Sequence, residues 1–272
     1  MMLQDIAPHV YHNPMRFQPP REEDGALVCS REGVLLRQTP EGLALPRVGE
    51  LRGNPGFTYA FSIDDRAFYL VRGEAAAEGF GFRKDYREQG PREVAFACAV
   101  GQSLDRWYRA NRFCGACGSP MEESPRERAM VCPRCRHVVY PKICPAVIVA
   151  VCHGDKLLLT KYAGRSFRRY ALVAGFNEIG ETIEETVARE VLEETGLQVR
   201  NLRFYKSQPW VVTDSLLFGF FAELEGSDRV RLQEDELSEG IWFSREELPV
   251  DHSPDSLTGE MIECFRRGLE PK

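Results

Sequence analysis

The sequence predicts an α/β protein in three parts: a small α+β N-terminal domain over residues 1–110, a cysteine-bearing ribbon over 111–140, and a larger α/β domain over 141–272. Three observations carry this. Short apolar runs broken by Gly, Pro and Asp fill the first part. Two C-x-x-C pairs follow, and beyond Pro141 strand-like and helix-like periods alternate.

The chain of 272 residues is long enough for two domains, or one large one, with a proper core. Its hydrophobic content of 43% and charged content of 28% are ordinary for a globular protein. It has no run of 18 apolar residues, so no membrane span is expected. "MMLQDIAPHVYHNP" lacks the basic region and apolar centre of a signal peptide. These features place the protein in the cytoplasm, where thiols stay reduced. A net charge of −6 argues against broad, non-specific binding to a nucleic-acid backbone, which needs Lys and Arg to displace counterions.

In residues 1–110, "ALVCS", "GVLLRQ", "FTYAFSID" and "RAFYLVRG" read as strands. "PREVAFACAVGQSLDRWYRAN" opens at Pro91 and sets Val94, Cys98, Leu104, Trp107 and Tyr108 at helical spacing. In the ribbon, Cys114 and Cys117 form one C-x-x-C pair and Cys132 and Cys135 the other, with fourteen residues between the pairs. That is close to the spacing of a four-cysteine Zn²⁺ site, because four thiolates fill a tetrahedral shell. The alternatives are disulfides, which the cytosol disfavours, and four unrelated core cysteines. Four protein ligands leave no open position, so such a zinc is structural. Cys29, Cys98, Cys144, Cys152 and Cys264 follow no such spacing and read as small core residues.

In the third part, "AVIVAVCHGDKLLLTKY" predicts two buried strands joined at His153-Gly154-Asp155, and "YALVAGF" a further strand. "NLRFYKSQPW", "SLLFGFFAEL" and "EGIWFS" predict strands, and "DSLTGEMIECFRRGL" a closing helix. Between them lies "REVLEETG", with three glutamates beside an arginine. Like charges four apart on a helix repel, so the run is either a solvated face or a site for a divalent cation. At 100° per residue, Glu190, Glu193 and Glu194 fall within an arc of about 100°. Val187, Ala188, Val191 and Leu192 occupy the adjacent arc and can anchor the helix to a sheet, and Gly196 stops it. Arg189 points a different way, toward a carboxylate such as Glu181.

Extended to "GFNEIGETIEETVAREVLEETGL", the stretch matches the Nudix box, G-x5-E-x7-R-E-U-x-E-E-x-G-U with U aliphatic. The matching residues are Gly175, Glu181, Arg189, Glu190, Val191, Glu193, Glu194, Gly196 and Leu197. The resemblance implies a Nudix α/β/α sandwich that hydrolyses a nucleoside diphosphate linked to another moiety with Mg²⁺ or Mn²⁺. By the same resemblance Glu190 and Glu194 are principal metal ligands, with the Ala174 carbonyl. Glu193 is a further ligand or the base that takes a proton from water.

The ribbon directly before the box, the extra N-terminal domain, and "SQPW" at Ser207–Trp210 with Ser215 after it resemble the NADH pyrophosphatase family of Nudix hydrolases. These are zinc-containing dimers that split NAD(H) into nicotinamide mononucleotide and AMP, and some remove NAD caps from RNA 5′ ends. Carried over, the resemblance implies Glu236 as a fourth acidic metal ligand. Tyr140 and Phe176 become aromatics that sandwich the nicotinamide ring across a homodimer interface. Gln208, Pro209, Trp210 and Ser215 become the substrate loop, and Arg83, Glu127 and Thr258 further substrate contacts. Each has a plainer reading: a plug at the ribbon join for Tyr140, core for Trp210, a solvated turn for Glu236, a surface arginine for Arg83.

One departure stands out. The family loop continues from "SQPW" with Pro-Phe-Pro, whereas this chain reads "SQPWVVTDS". Two prolines and a phenylalanine are lost and Asp214 adds a negative charge, which bears on the preference among NADH, NAD⁺, ADP-ribose and other dinucleotides. Three further functions stand beside dinucleotide hydrolysis: decapping of NAD-capped RNA, a non-enzymatic ligand sensor, and nucleic-acid binding by the ribbon itself. The intact glutamates argue against the sensor.

Overall fold

A computed structural model of the chain describes residues 2–164, 169–233, 235–250 and 255–271. It divides into two compact units. One runs from Leu3 to Lys142 and includes Val211–Thr213; the other holds Ile143–Trp210, Met2, and the chain from Asp214 onward.

In the N-terminal unit, β1 (Tyr11–His12), β6 (Gly56–Ile63), β7 (Arg66–Arg72) and β2 (Gly25–Leu27) form one four-stranded sheet in that order. β3 (Cys29–Ser30), β4 (Gly33–Thr39) and β5 (Gly42–Ala44) form a second, in which β8 (Gly81–Arg83) also pairs with β4. The four expected strand runs are all present. After a single turn, α1 (Tyr86–Gln89), the helix α2 (Arg92–Ala110) starts behind Pro91, whose fixed φ suits a helix entrance. α2 buries Ala95, Phe96, Cys98, Ala99, Trp107 and Tyr108. The ribbon strands β9 (Glu122–Glu123), β10 (Met130–Val131) and β11 (Val138–Val139) make a three-stranded sheet. Cys114, Met121, Met130 and Cys132 lie in the same apolar cluster as Leu27, Phe61, Phe96 and Trp107. Ribbon and N-terminal segment therefore share one core.

The C-terminal unit is the expected α/β/α sandwich. Its sheet runs β15 (Gln198–Trp210), β16 (Ser215–Glu225), β12 (Cys144–His153), β13 (Lys156–Tyr162), β17 (Leu237–Ser244). Alternation along β12 feeds both faces. Val147, Val149 and Val151 meet Val187 and Val191 of α3 (Ile183–Thr195). Ile148, Ala150 and Cys152 meet Leu257, Met261, Ile262 and Phe265 of α4 (Leu257–Arg266). β12 is parallel to β16 and antiparallel to β13, but pairs with β13 only at Cys152–Leu157 and His153–Lys156. Where the two part, β14 (Val173–Phe176) fills the wedge, pairing Val147 with Gly175 and Ile148 with Ala174. The predicted strand "YALVAGF" is thus shorter than its apolar run, its earlier part touching β13 through a bridge at Thr160–Ala171. Of the five cysteines outside the ribbon, Cys29, Cys98, Cys152 and Cys264 are buried, whereas Cys144 is only half-buried at the start of β12.

Candidate active site

The helix α3 is closed at both ends. Thr182 accepts a hydrogen bond from the Glu185 N–H at 3.2 Å, and the Glu185 carboxylate accepts from the Thr182 N–H at 2.7 Å, a reciprocal capping box. At the far end Gly196 adopts φ 69°, the left-handed conformation that glycine takes without strain, and its N–H donates to the Leu192 carbonyl. The buried stripe of this helix differs from the expected one. Thr186, Val187, Glu190, Val191 and Glu194 are buried, whereas Ala188 is exposed and Leu192 is 49% exposed. Two of the three glutamates therefore lie on the face that meets the sheet, with Glu194 only 3% exposed. Glu193 is on the open side.

Glu190 reaches that face because β14 offers it no side chain. A Cβ on Gly175 would stand 1.9 Å from Glu190 Cδ and 2.1 Å from its Oε1. The glycine that opens the box is thus a cradle for the carboxylate of Glu190, five residues before the last residue of the helix. Burial pushes the Glu190 carboxyl up; Arg189 opposes this, and the charges of Glu193 and Glu236 add to it.

Arg189 does not point away from the glutamates, as its place on the helical wheel suggests. Its Nε and Nη2 donate to the two oxygens of Glu181 at 2.6 and 3.0 Å. Nη1 donates to Glu190 Oε1 at 2.8 Å and Glu193 Oε2 at 3.0 Å, and Nη2 also donates to the Phe176 carbonyl at 3.0 Å. A long arginine stem lets one guanidinium fork span the loop, the strand and the helix together. Glu181 receives further bonds from the Thr186 hydroxyl at 2.9 Å and the Glu178 N–H at 3.1 Å. The Arg189 bond first, then these two, hold its carboxyl down to about 2. Asn177, which donates to the Thr186 hydroxyl at 2.8 Å, completes a layer that sequence reasoning missed.

The exposed Glu236 sits in a turn tied to the end of α3. Its N–H donates to the Gln233 carbonyl, the Gln233 N–H to the Glu194 carbonyl, and the Arg231 N–H to the Thr195 carbonyl. Glu190, Glu194, Glu236 and the Ala174 carbonyl of β14 offer oxygen donors only, the kind a hard divalent cation takes. Among the described residues, the only group of three or more His, Cys, Asp or Glu with ligand atoms mutually within 4.8 Å is the cysteine quartet; the glutamates stand further apart.

The other expected substrate residues divide. Phe176, at the end of β14, is 56% exposed, and Tyr140, at the end of the ribbon, is 57% exposed. The Tyr140 hydroxyl donates to Glu127 at 3.1 Å, which brings those two together. Pro209 and Trp210 are half-buried at the end of β15, and Ser215 is buried opposite Trp210. Gln208 is fully buried: its amide donates to the Asp255 carbonyl at 3.0 Å and accepts from the Leu257 N–H at 2.7 Å. Its side chain builds the start of α4, where Thr258 lies half-buried, rather than facing a ligand. Arg83 is likewise committed, forked onto Asp85 at 2.6 and 2.9 Å and bonded to Gln89 at 3.0 Å.

In the ribbon, Cys114 and Cys135 sulfurs are 3.6 Å apart and those of Cys117 and Cys132 3.5 Å, and all nine cysteines of the chain are free thiols. Sulfurs at tetrahedral corners ~2.3 Å from a Zn²⁺ stand about 3.8 Å apart, so the four fit the ion.

Comparison with known proteins agrees with this geometry. Residues 142–264 match the NUDIX domain and residues 109–140 the NADH pyrophosphatase zinc ribbon domain. The chain is 42% identical over 163 residues to the NAD-capped RNA hydrolase NudC of Salmonella schwarzengrund and 41% identical to that of Salmonella paratyphi C. Each alignment takes in 60% of this chain and 63% of the relative, so the chain spans less than two thirds of the length of the curated relatives it matches. A NUDIX hydrolase from Nitrosomonas europaea superposes with a TM-score of 0.50 at 25% identity, over 59% of this chain and 94% of that one. No helix among the described residues is long and apolar enough to cross a membrane. The box with its glycine cradle and the four-cysteine ribbon lie within the matched stretches, so the chain carries an NADH pyrophosphatase-type zinc ribbon followed by a Nudix hydrolase domain.

Proposed function

We propose that this chain hydrolyses the pyrophosphate bond of NAD(H)-like dinucleotides, giving nicotinamide mononucleotide and AMP. The observation that supports it most is the Glu190 carboxylate seated on Gly175 beside buried Glu194, in a chain whose ribbon is of the NADH pyrophosphatase type. Glu190 and Glu194, with Glu236 and the Ala174 carbonyl, would hold Mg²⁺ or Mn²⁺, whose chemistry is to neutralise diphosphate charge and to make a bound water more acidic. Arg189 orients Glu190 and Glu193 at once, and Glu193 takes the proton of the attacking water. Water adds to one phosphorus and the bridging oxygen leaves with the other nucleotide. Phe176 stacks on the flat nicotinamide, and Tyr140, oriented by Glu127, supplies the second face from the partner subunit of a homodimer. Pro209, Trp210 and Ser215 border the substrate, and a single zinc per chain is structural. We place the enzyme in the cytoplasm.

A second reading is the same chemistry on NAD-capped RNA 5′ ends, favoured by the activity for which both Salmonella relatives are named. The test is a product assay with Mg²⁺ or Mn²⁺ and, separately, NADH, NAD⁺, ADP-ribose, FAD and an NAD-capped RNA. Nicotinamide mononucleotide released from NADH or NAD⁺ supports the first reading, and cleavage of the capped RNA alone supports the second. Glu193→Gln removes one charge at constant volume and is expected to lower kcat about 10²–10⁴-fold with the fold intact. Near-wild-type turnover in that variant, or no cleavage of any substrate by the wild type, would overturn the proposal.

A further inference from the structure

The stretch Val211–Asp214, where the loop departs from its family pattern, has an unusual support. It forms the four-residue tip of the β15–β16 hairpin, closed by the pair Trp210–Ser215. It contains no proline to fix a φ angle within it. Its shape is held by contacts at each end. Val211–Thr213 belong to the N-terminal unit. There Arg106 of α2 donates from Nη2 to the Val211 carbonyl at 2.8 Å and the Val212 carbonyl at 3.2 Å. The Val211 side chain packs against the apolar cluster that α2 and the ribbon share. At the other end Asp214 takes φ 57°, a left-handed conformation that Asp tolerates better than most residues, and its carbonyl accepts from the Cys144 N–H at 2.8 Å.

We propose that Arg106 is a positioning residue for substrate binding: it clamps the hairpin tip, and so presets Trp210 and Ser215, in place of rigidity the loop sequence lacks. The inference rests on the reading of Ser207–Ser215 as the substrate loop. The physical reason is preorganisation. A guanidinium bonded to two successive carbonyls removes backbone freedom that substrate would otherwise have to remove on binding. A tip that is ordered only part of the time lowers apparent affinity by the fraction that is ordered. The reacting groups of α3 and β14 are untouched, so the effect falls on KM and not on the chemical step.

The experiment compares full-length wild type, Arg106→Ala and Arg106→Lys, with NADH hydrolysis, thermal unfolding and amide hydrogen exchange over residues 210–215. Arg106→Ala is expected to raise KM about fivefold to tenfold with kcat within about twofold. Exchange at the tip should rise about tenfold, with Tm within about 2 °C of wild type. Arg106→Lys keeps a charged donor and should recover at least half of the lost KM on a logarithmic scale. Unchanged KM and exchange in Arg106→Ala, or a fall in kcat that tracks a fall in Tm, would overturn the inference. An inactive wild type overturns the functional reading instead, whereas an active wild type with an unaffected Arg106→Ala overturns this inference alone.

Discussion

Replacing Gly175 by alanine adds one methyl group, and the geometry says where it goes. The new Cβ would lie 1.9, 2.1 and 2.3 Å from Glu190 Cδ, Oε1 and Oε2. Non-bonded carbon atoms settle near 3.5 Å, so the carboxylate must move by about 1.5 Å. It has little room to do so, because Glu190 is only 9% exposed and its Oε1 is held by Arg189 at 2.8 Å. A misplacement of about 1 Å in reacting geometry lowers rate by about 10²-fold, which sets the minimum expected loss in kcat/KM. Overpacking of this kind destabilises by about 1–3 kcal/mol, a Tm decrease of roughly 2–10 °C for a domain of this size. Initial rates on NADH and a melting curve measure both. Gly81→Ala is the control, since its Cβ would meet nothing within 4 Å and its φ is not left-handed. The double variant Gly175→Ala/Glu190→Ala makes the reasoning sharper: the clash is gone, so Tm should recover while activity stays lost. Activity of Gly175→Ala within threefold of wild type, or a double variant as unstable as the single one, would refute it.

Other consequences are as direct. Because Arg189 holds the Glu181 carboxyl down to about 2, below its ordinary 4.5, the pair contributes stability above that ordinary value and loses it as pH falls toward 2. The difference in Tm between wild type and Glu181→Gln should therefore shrink from pH 5 to pH 2, and parallel curves would refute the coupling. Purified protein should carry one zinc per chain by atomic absorption. Because Cys114 and Cys132 lie inside the shared core, Cys132→Ser should lose the metal, bind a hydrophobic dye and melt several degrees lower. A zinc-free wild type, or a Cys132→Ser variant with an unchanged melt, would contradict this.

Much of the C-terminal unit is legible in the residues because local signals agree. Alternating apolar residues mark β12 and β16, and Gly196 marks where α3 stops. The pair Thr182 and Glu185 has the spacing of a capping box and locates the helix start as well. The direction of side chains is less legible. A helical wheel puts Ala188 and Leu192 inward, but the wheel's rotation is set by the sheet, and a glycine on β14 is what turns Glu190 toward it. Arg189 illustrates the same limit: its Cβ leaves the helix away from Glu190, yet its stem is long enough to return. Gln208 lies in a motif tied to substrate, but its partners are backbone atoms 47 and 49 residues further on, a pairing that no local pattern encodes. Arg106 and Val211, 105 positions apart, are unlinked in sequence for the same reason.

The shared cluster of ribbon and N-terminal residues bears on how such proteins can recombine. Cys114 and Cys132 are 3% and 0% exposed, and both pack with side chains from α2 and the N-terminal strands. A chimera exchanged at residues 110 and 111 would graft a foreign ribbon onto a face shaped for this one, leaving unmatched volume around Phe96 and Trp107. Residues 3–142 are therefore best exchanged as a single cassette. Swaps made between relatives to move substrate preference should carry the whole of it, together with the Val211–Thr213 tip that packs with it.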